Sequence, residues 1–225
     1  MRDFAPAKVE KGPSELAGLR LVDVCVAVRG QELLRISALI SPGEVMTVMG
    51  PSGAGKSSLL AFLAGTLPPA FAAGGNVYLD GESLDGLPPE MRRLGILFQD
   101  DLLFPHLSVG GNLAFALPPS VRGRKARRAA VEKALATADL AGFADRDPAT
   151  LSGGQRARVA VMRVLLSQPK ALLLDEPFSK LDASLRESFR AFVFGEVRHH
   201  RLPAIMVTHD PADAAAAGGP VIILE

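Results

Sequence analysis

Apolar and polar positions divide the chain into short alternating runs and longer helical ones. From Leu21 to Val28, apolar and β-branched residues fall on alternate sides, a strand pattern that ends at the Arg29-Gly30 turn. Glu44 to Met49 is a short apolar run closed by glycine, and a helix is expected from about Lys56 to Ala64. Asn76 to Asp80 and Leu94 to Phe98 read as further strands between Gly- and Pro-containing turns. The texture turns helical from about Val109 to Ala149. Beyond it the pattern predicts a helix over 154–167, a strand over 171–175, a helix over 183–200, and strands over 204–207 and 221–224. Strands alternating with helices predict an α/β domain whose mostly parallel sheet is covered on both faces.

Composition narrows the class. The 225 residues are 48% apolar and 22% charged, a balance that buries a core and excludes a largely disordered chain. Lys plus Arg number 25 against 24 acidic residues, so no overall charge favours nucleic acid. The basic run Arg122, Arg124, Lys125, Arg127 and Arg128 has no interleaved aromatics and reads as a solvated helix face. Cys25 is alone, and no Cys/His pair has metal-site spacing. No apolar run approaches the roughly 20 residues that cross a bilayer. Met1 to Pro6 is not followed by the apolar stretch of a secretory signal. Residues 1–18 lack periodicity and are expected to form a flexible arm ahead of a single domain over 19–225.

The first candidate chemistry is Gly50-Pro51-Ser52-Gly53-Ala54-Gly55-Lys56-Ser57, with Ser58 following, placed after a strand and opening a helix. Its glycines let successive backbone N–H groups curl around phosphate oxygens, and the helix N-terminus adds partial positive charge. Lys56 supplies a full charge to the β- and γ-phosphates, and the Ser57 hydroxyl suits Mg²⁺. The loop alone is equally compatible with a small-molecule kinase.

Ala171-Leu172-Leu173-Leu174-Asp175-Glu176 is an apolar strand ending in two carboxylates. In a parallel sheet that end points into the ligand crevice, which puts Asp175 near Mg²⁺ and Glu176 where it orients or deprotonates water. Leu151-Ser152-Gly153-Gly154-Gln155 adds a second anion-suited helix start. Chance yields that pentapeptide in about 3 of 10,000 shuffled chains of this composition.

With these motifs in this order the chain resembles the ATP-binding-cassette (ABC) ATPases, whose signature is LSGGQ. The resemblance spans about residues 18–225. It implies a P-loop NTPase core with a mostly parallel sheet, an antiparallel β subdomain, and a helical subdomain inserted at about 100–158. It implies ATP and Mg²⁺ as ligands. Gln99 resembles the family's Q-loop glutamine, Asp182 its D-loop aspartate, and His209 its switch histidine; Glu176, His209 and Gln99 are the implied catalytic set. In the family, the 151–155 signature of one chain closes on the nucleotide of a partner, so a homodimer on ATP binding is implied. Two positions depart from the usual pattern: Lys180 stands where alanine is commoner, and Val28 falls where an aromatic commonly stacks on adenine. Valine offers apolar contact but no π face.

The stretch Gln99 to Val109 resembles the segment of bacterial import ATPases that docks on a membrane permease. That implies a peripheral place on the cytoplasmic face of the inner membrane, with permease subunits as direct partners. A periplasmic or extracellular solute-binding protein would be an indirect partner, and nucleic acid is not expected. An exporter ATPase and a non-transport cassette remain the alternatives.

Overall fold

The computed structural model describes residues 17–224. Its two sheets follow from two kinds of strand. β3 (Val45–Met49), β6 (Leu94–Leu97), β7 (Ala171–Asp175), β8 (Ala204–Thr208) and β9 (Val221–Ile223) form a five-stranded sheet in the order β6-β7-β8-β3-β9 with every pair parallel. β1 (Leu19–Val28), β2 (Gln31–Ile40), β4 (Phe71–Leu79) and β5 (Glu82–Ser83) form an antiparallel sheet in the order β2-β1-β4-β5.

The central parallel strands are apolar on both sides because each side has its own core. Leu172 and Leu174 of β7, with Ala204 and Met206 of β8, pack into one cluster; Ala171, Leu173, Ile205 and Val207 pack into the other. The period of two along a strand separates these sets. The first cluster is completed by α2 (Val109–Phe115), α3 (Arg124–Thr137), α4 (Gly153–Leu166) and α5 (Ala183–His199). The second is completed by α1 (Lys56–Ala64) and the antiparallel sheet. A last short helix, α6 (Pro211–Ala217), leads to β9. No helix among the described residues is long and apolar enough to cross a membrane.

Several expectations are corrected here. The strand read as Asn76–Asp80 begins at Phe71, because pairing with β1 carries the Ala-Ala-Gly-Gly stretch into the ladder. β2 had no counterpart in the pattern: its buried Leu34, Ile36 and Ile40 do fall on one side, but Leu33 and Leu39 put apolar residues on the other and blur the alternation. The helical region 109–149 is two helices and a short 3₁₀ turn, Pro148–Thr150, rather than one texture. α6 starts where the Asp210 carboxylate accepts from the Ala212 N–H and Pro211 sits in the first turn. In the basic run, Arg122, Arg124, Lys125 and Arg128 are exposed as a solvated face should be, and the exception is the half-buried Arg127, which donates to the Val121 and Ala114 carbonyls. Of the expected arm, residues 1–16 lie outside the described ones, while Gly18 is already held by the Asp80 carboxylate at 3.0 Å.

One glycine is required by its surroundings. β1 bulges at Asp23, and Gly75 on β4 lies against it with φ +94°; a Cβ there would lie 2.4 Å from the Asp23 carbonyl oxygen.

Phe178, fully buried and edge-on to Phe189 and Phe194, anchors the turn after β7. Phe178→Ala is expected to lower unfolding stability by about 3–5 kcal/mol, read from urea denaturation followed by circular dichroism.

Candidate functional site

Four parallel strands end side by side, and the predicted site residues stand at those ends. Met49 pairs with Thr208, Asp175 with Val207, and Leu97 with Leu174. The loop that starts at Gly50, the carboxylates Asp175 and Glu176, His209, and Gln99 therefore share the carboxyl edge of the sheet, the usual ligand crevice of an open α/β fold.

The 50–57 loop is shaped by its glycines. Gly55 takes φ 83° immediately before α1, and that helix start has no side-chain cap. Its first-turn N–H groups are left for a ligand. The Lys56 side chain is buried and curls back, with Nζ donating to the Gly50 and Pro51 carbonyls at 2.7 and 2.8 Å. Ser57 Oγ donates to Asp175 Oδ1 at 3.2 Å, joining the two halves of the site across 118 residues.

Glu176 has φ 45°, a left-handed conformation that a non-glycine residue adopts only at a cost. Its N–H donates to the Val207 carbonyl, and its own carbonyl accepts from the Ser179 N–H and hydroxyl. That geometry leaves the carboxylate 3.2 Å from His209 Nδ1. His209 is itself flanked by a network that sequence reasoning missed. Thr208 Oγ1 donates to Asp213 and accepts from the Asp210 N–H; Arg186 and Arg190 pair with Asp210, and Arg190 also with Asp213. The Asp210-Pro211 cap was the available signal.

Ser152 caps α4. Its Oγ accepts from the Gln155 N–H at 3.3 Å while Gln155 Oε1 accepts from the Ser152 N–H at 2.9 Å, a reciprocal capping box. Gly153 and Gly154 lie in the first turn, and Leu151 is buried in the helical cluster. Leu151 and α4 pack on one face of the parallel sheet, and α1 packs on the other. Within one chain the two anion-suited helix starts are thus on opposite sides.

Asp182 caps α5, accepting from the Leu185 N–H and the Ser184 hydroxyl. The segment after Gln99 is held twice: Asp101 pairs with Arg156 of α4 at 2.9 Å, and Asp100 pairs with Lys180. A cleft of about 150 Å³ between them is lined by Gln99, Gly153 and Lys180. A larger cleft of about 710 Å³, between α3, α4 and the end of α5, touches none of the predicted site residues. Also missed was Asn112, fully buried, which bonds the Phe104 N–H and the Phe104, Leu107 and Ser108 carbonyls and so fixes the turn that presents Phe104, Pro105 and His106. Val28 ends β1, paired with Gln31 on β2 and Phe71 on β4.

Burial pushes the Asp175 carboxyl up from the usual carboxylate range, opposed by the hydrogen bond from Ser57 and reinforced by Glu176. Asp182 is held low, chiefly by the Ser184 hydroxyl, and Asp210 chiefly by the Ala212 N–H.

A phosphate loop at the edge of a parallel sheet, facing a strand that ends in two carboxylates, defines a P-loop nucleoside triphosphatase. Residues 33–179 match the family model described as ABC transporter. The chain belongs to the ABC transporter family, and it binds and hydrolyses ATP. It is 52% identical over 184 residues to the uncharacterized ABC transporter ATP-binding protein YnjD of Escherichia coli, covering 82% of this chain and 84% of that protein. It is 38% identical to the thiamine import ATP-binding protein ThiQ of Chelativorans sp., over 95% of this chain and 85% of the relative. Against the Fe(3+) ions import ATP-binding protein FbpC 1 of Haemophilus influenzae it is 40% identical over 82% of this chain, and spans 56% of that protein. Among solved structures it is similar to the ATP-binding cassette MJ0796, a dimer in a post-hydrolysis state bound to ADP and Pi. The TM-score is 0.75 at 29% identity, covering 92% of this chain and 94% of that one.

The raised Asp175 value has a testable sign. The folded chain holds that proton more tightly than the unfolded chain, so the ionised carboxylate costs stability at neutral pH. The cost is absent below the unfolded-state pKa near about 4. Without nucleotide, Asp175→Asn is expected to melt above wild type at pH 7, with the gap closing below about pH 4, in calorimetry across that range.

Proposed function

We propose that this chain is the ATP-hydrolysing subunit of an importer and works as a homodimer that ATP closes. The observation that carries the dimer is the separation of its two anion-suited helix starts. α1 and α4 flank opposite faces of one sheet, so a nucleotide on Lys56 meets a 151–155 segment only from a second chain. Two head-to-tail chains then enclose two ATP molecules. Support comes from the dimeric ATP-binding cassette of similar fold.

In this reading residues 50–58 hold the triphosphate by backbone N–H groups, and Lys56 leaves the Gly50 and Pro51 carbonyls for the β- and γ-phosphate oxygens. The partner's Ser152 hydroxyl, whose oxygen already accepts from Gln155, still has its own hydrogen to donate to the γ-phosphate. Ser57 and Asp175 offer adjacent hard oxygen ligands suited to Mg²⁺, with Gln99 at the neighbouring strand end. That ion, when bound, neutralises charge on the phosphate oxygens. Glu176 accepts a proton from the attacking water as the bond from water oxygen to Pγ forms and the bond to the ADP leaving oxygen breaks. His209, in contact with Glu176, orients that carboxylate and meets the γ-phosphate, and Asp182 lies at the closing surface.

Closure would pull docked permease subunits together at the cytoplasmic face of the inner membrane, with a periplasmic or extracellular solute-binding protein delivering the solute. Two things support import: the relatives named for thiamine and Fe(3+) import, and the exposed aromatic ledge after Gln99. There Phe104 stacks edge-on with Phe115 at 5.0 Å, and Phe115 and Leu102 are exposed. Copurification with a permease alone, and never with a solute-binding protein, would turn the reading towards export.

Two substitutions separate the roles. Lys56→Ala is expected to lose nucleotide binding and hydrolysis together. Glu176→Gln is expected to bind ATP, lose about 10²–10⁴-fold in kcat, and elute from gel filtration with ATP as a dimer. A monomeric, fully active Glu176→Gln protein overturns the assignment. Mixing Lys56→Ala chains with Ser152→Arg chains, each inactive alone, creates one site with both lesions and one with neither. Returned activity, or an ATP-dependent crosslink between position 152 and the partner's loop, is expected; the absence of both would overturn the sandwich.

A further inference from the structure

Gln99 stands at the carboxyl edge with no regular structure to hold it there. β6 ends at Leu97, and from Gln99 to Leu102 no backbone N–H or carbonyl is bonded to another backbone group. The grip on this stretch comes from side chains. On one side α4 supplies two arginines. Arg156 Nε donates to Asp101 Oδ2 at 2.9 Å, and its Nη1 donates to the Leu151 carbonyl at 2.8 Å. Arg163 donates to the Asp101 and Leu102 carbonyls at 3.0 and 2.7 Å, where Leu102 takes a left-handed φ of 47°. These bonds tie residues 101 and 102 to the helix that opens at the 151–155 segment.

Towards the turn after β7 there is one tie among the described residues, Lys180 Nζ donating to Asp100 Oδ1 across 80 residues. Lys180 springs from a fixed base. Its turn is anchored by the fully buried Phe178, by the Ser179 N–H and hydroxyl on the Glu176 carbonyl, and by the Leu181 N–H on the Phe178 carbonyl. Asp100 follows Gln99 directly, so their Cα atoms are about 3.8 Å apart and a hold on one is a hold on the other's backbone. β6 and β7 are neighbours, which sets Gln99 at the strand end next to Asp175. Gln99, Lys180 and Gly153 of α4 line one small cleft. Both members of the Asp100–Lys180 pair are largely exposed, so the pair adds little to folding stability. Its effect lies in where it keeps the neighbouring residue.

We propose that Lys180 is a positioning residue of this ATPase: through Asp100 it fastens the Gln99 segment to the turn that carries Glu176 and Asp182. The inference rests on the roles given above to Gln99 and Glu176 and adds the residue that keeps them in register. Without Lys180 the segment answers to α4 alone, and Gln99 loses its fixed place beside Asp175. The lysine therefore acts on turnover rather than on nucleotide affinity, because the triphosphate is held by a separate loop, residues 50–58.

The test measures hydrolysis at saturating ATP and Mg²⁺ on the full chain, with ATP affinity read separately by isothermal calorimetry. Lys180→Ala and Asp100→Asn are each expected to lower kcat about fivefold, equivalent to about 1 kcal/mol, with wild-type Kd for ATP and an unchanged melting temperature. The double variant is expected to lose no more than either single one, since each removes the same tie. Lys180→Arg keeps the charge and is expected to keep the rate. A Lys180→Ala protein with wild-type kcat, a Lys180→Arg protein as slow as Lys180→Ala, or losses that add in the double variant overturns the inference and leaves the roles of Gln99 and Glu176 standing. Gln99→Ala tests those roles separately. It is expected to lower kcat at least as far as Lys180→Ala does; wild-type turnover in Gln99→Ala overturns the part given to Gln99, and the inference with it.

Discussion

Three adjacent strands, β7, β8 and β3, carry the site, and they hold because both of their faces are dry. From Ala171 to Leu174 and from Ala204 to Val207 every side chain is buried, alternately in one cluster and in the other. Each buried Leu, Ile or Val contributes about 1.5–3 kcal/mol relative to exposure, whereas an exposed ion pair contributes about 0–1 kcal/mol. The positions of Gly50, Asp175 and His209 are therefore set by apolar packing beneath them. Ion pairs such as Lys180 with Asp100, both largely exposed, trim the rim.

That rigid base lets the edge hold costly arrangements. Glu176 sits in a left-handed conformation, worth roughly 1–2 kcal/mol of strain, between the backbone bond to Val207 and the bonds from Ser179. Asp175 is half-buried, with a hydroxyl partner and another carboxylate beside it. Lys56 is buried, hydrogen-bonded through Nζ to backbone carbonyls alone, with the Asp175 carboxylate close enough to feel its charge. A buried charge in a low-dielectric crevice interacts more strongly with an arriving phosphate than it would in water.

The helix starts show the same division between finished and unfinished structure. α2, α4, α5 and α6 are capped by Ser108, Ser152, Asp182 and Asp210. α3, which starts at Gly123, lacks a side-chain cap, and so does α1, which has a left-handed glycine at the phosphate loop. A cap there would occupy the N–H groups that an anion needs. Elsewhere a capped start is worth about 1 kcal/mol to the fold.

Much of the candidate site was legible in the chain because its chemistry is local. Gly50 to Ser57, Ala171 to Glu176 and Leu151 to Gln155 each pair a backbone requirement with a reactive side chain inside one short window, and the period of apolar residues placed them at strand ends or helix starts. The antiparallel sheet was less legible. β2 and the first half of β4 are strands because β1 lies between them, and an Ala-Ala-Gly-Gly stretch has no local reason to extend. The network of Thr208, Asp210, Asp213, Arg186 and Arg190, and the pinning of residues 104–108 by Asn112, join residues that no periodicity connects. By itself the sequence determined the α/β class, the phosphate loop and the residue types of its chemistry. Only the tertiary structure decided that α1 and α4 stand on opposite faces of one sheet, and that Lys180 meets Asp100 beyond neighbouring strand ends. Both depend on strand order and on which cluster a helix buries, and those are set by partners distant in sequence.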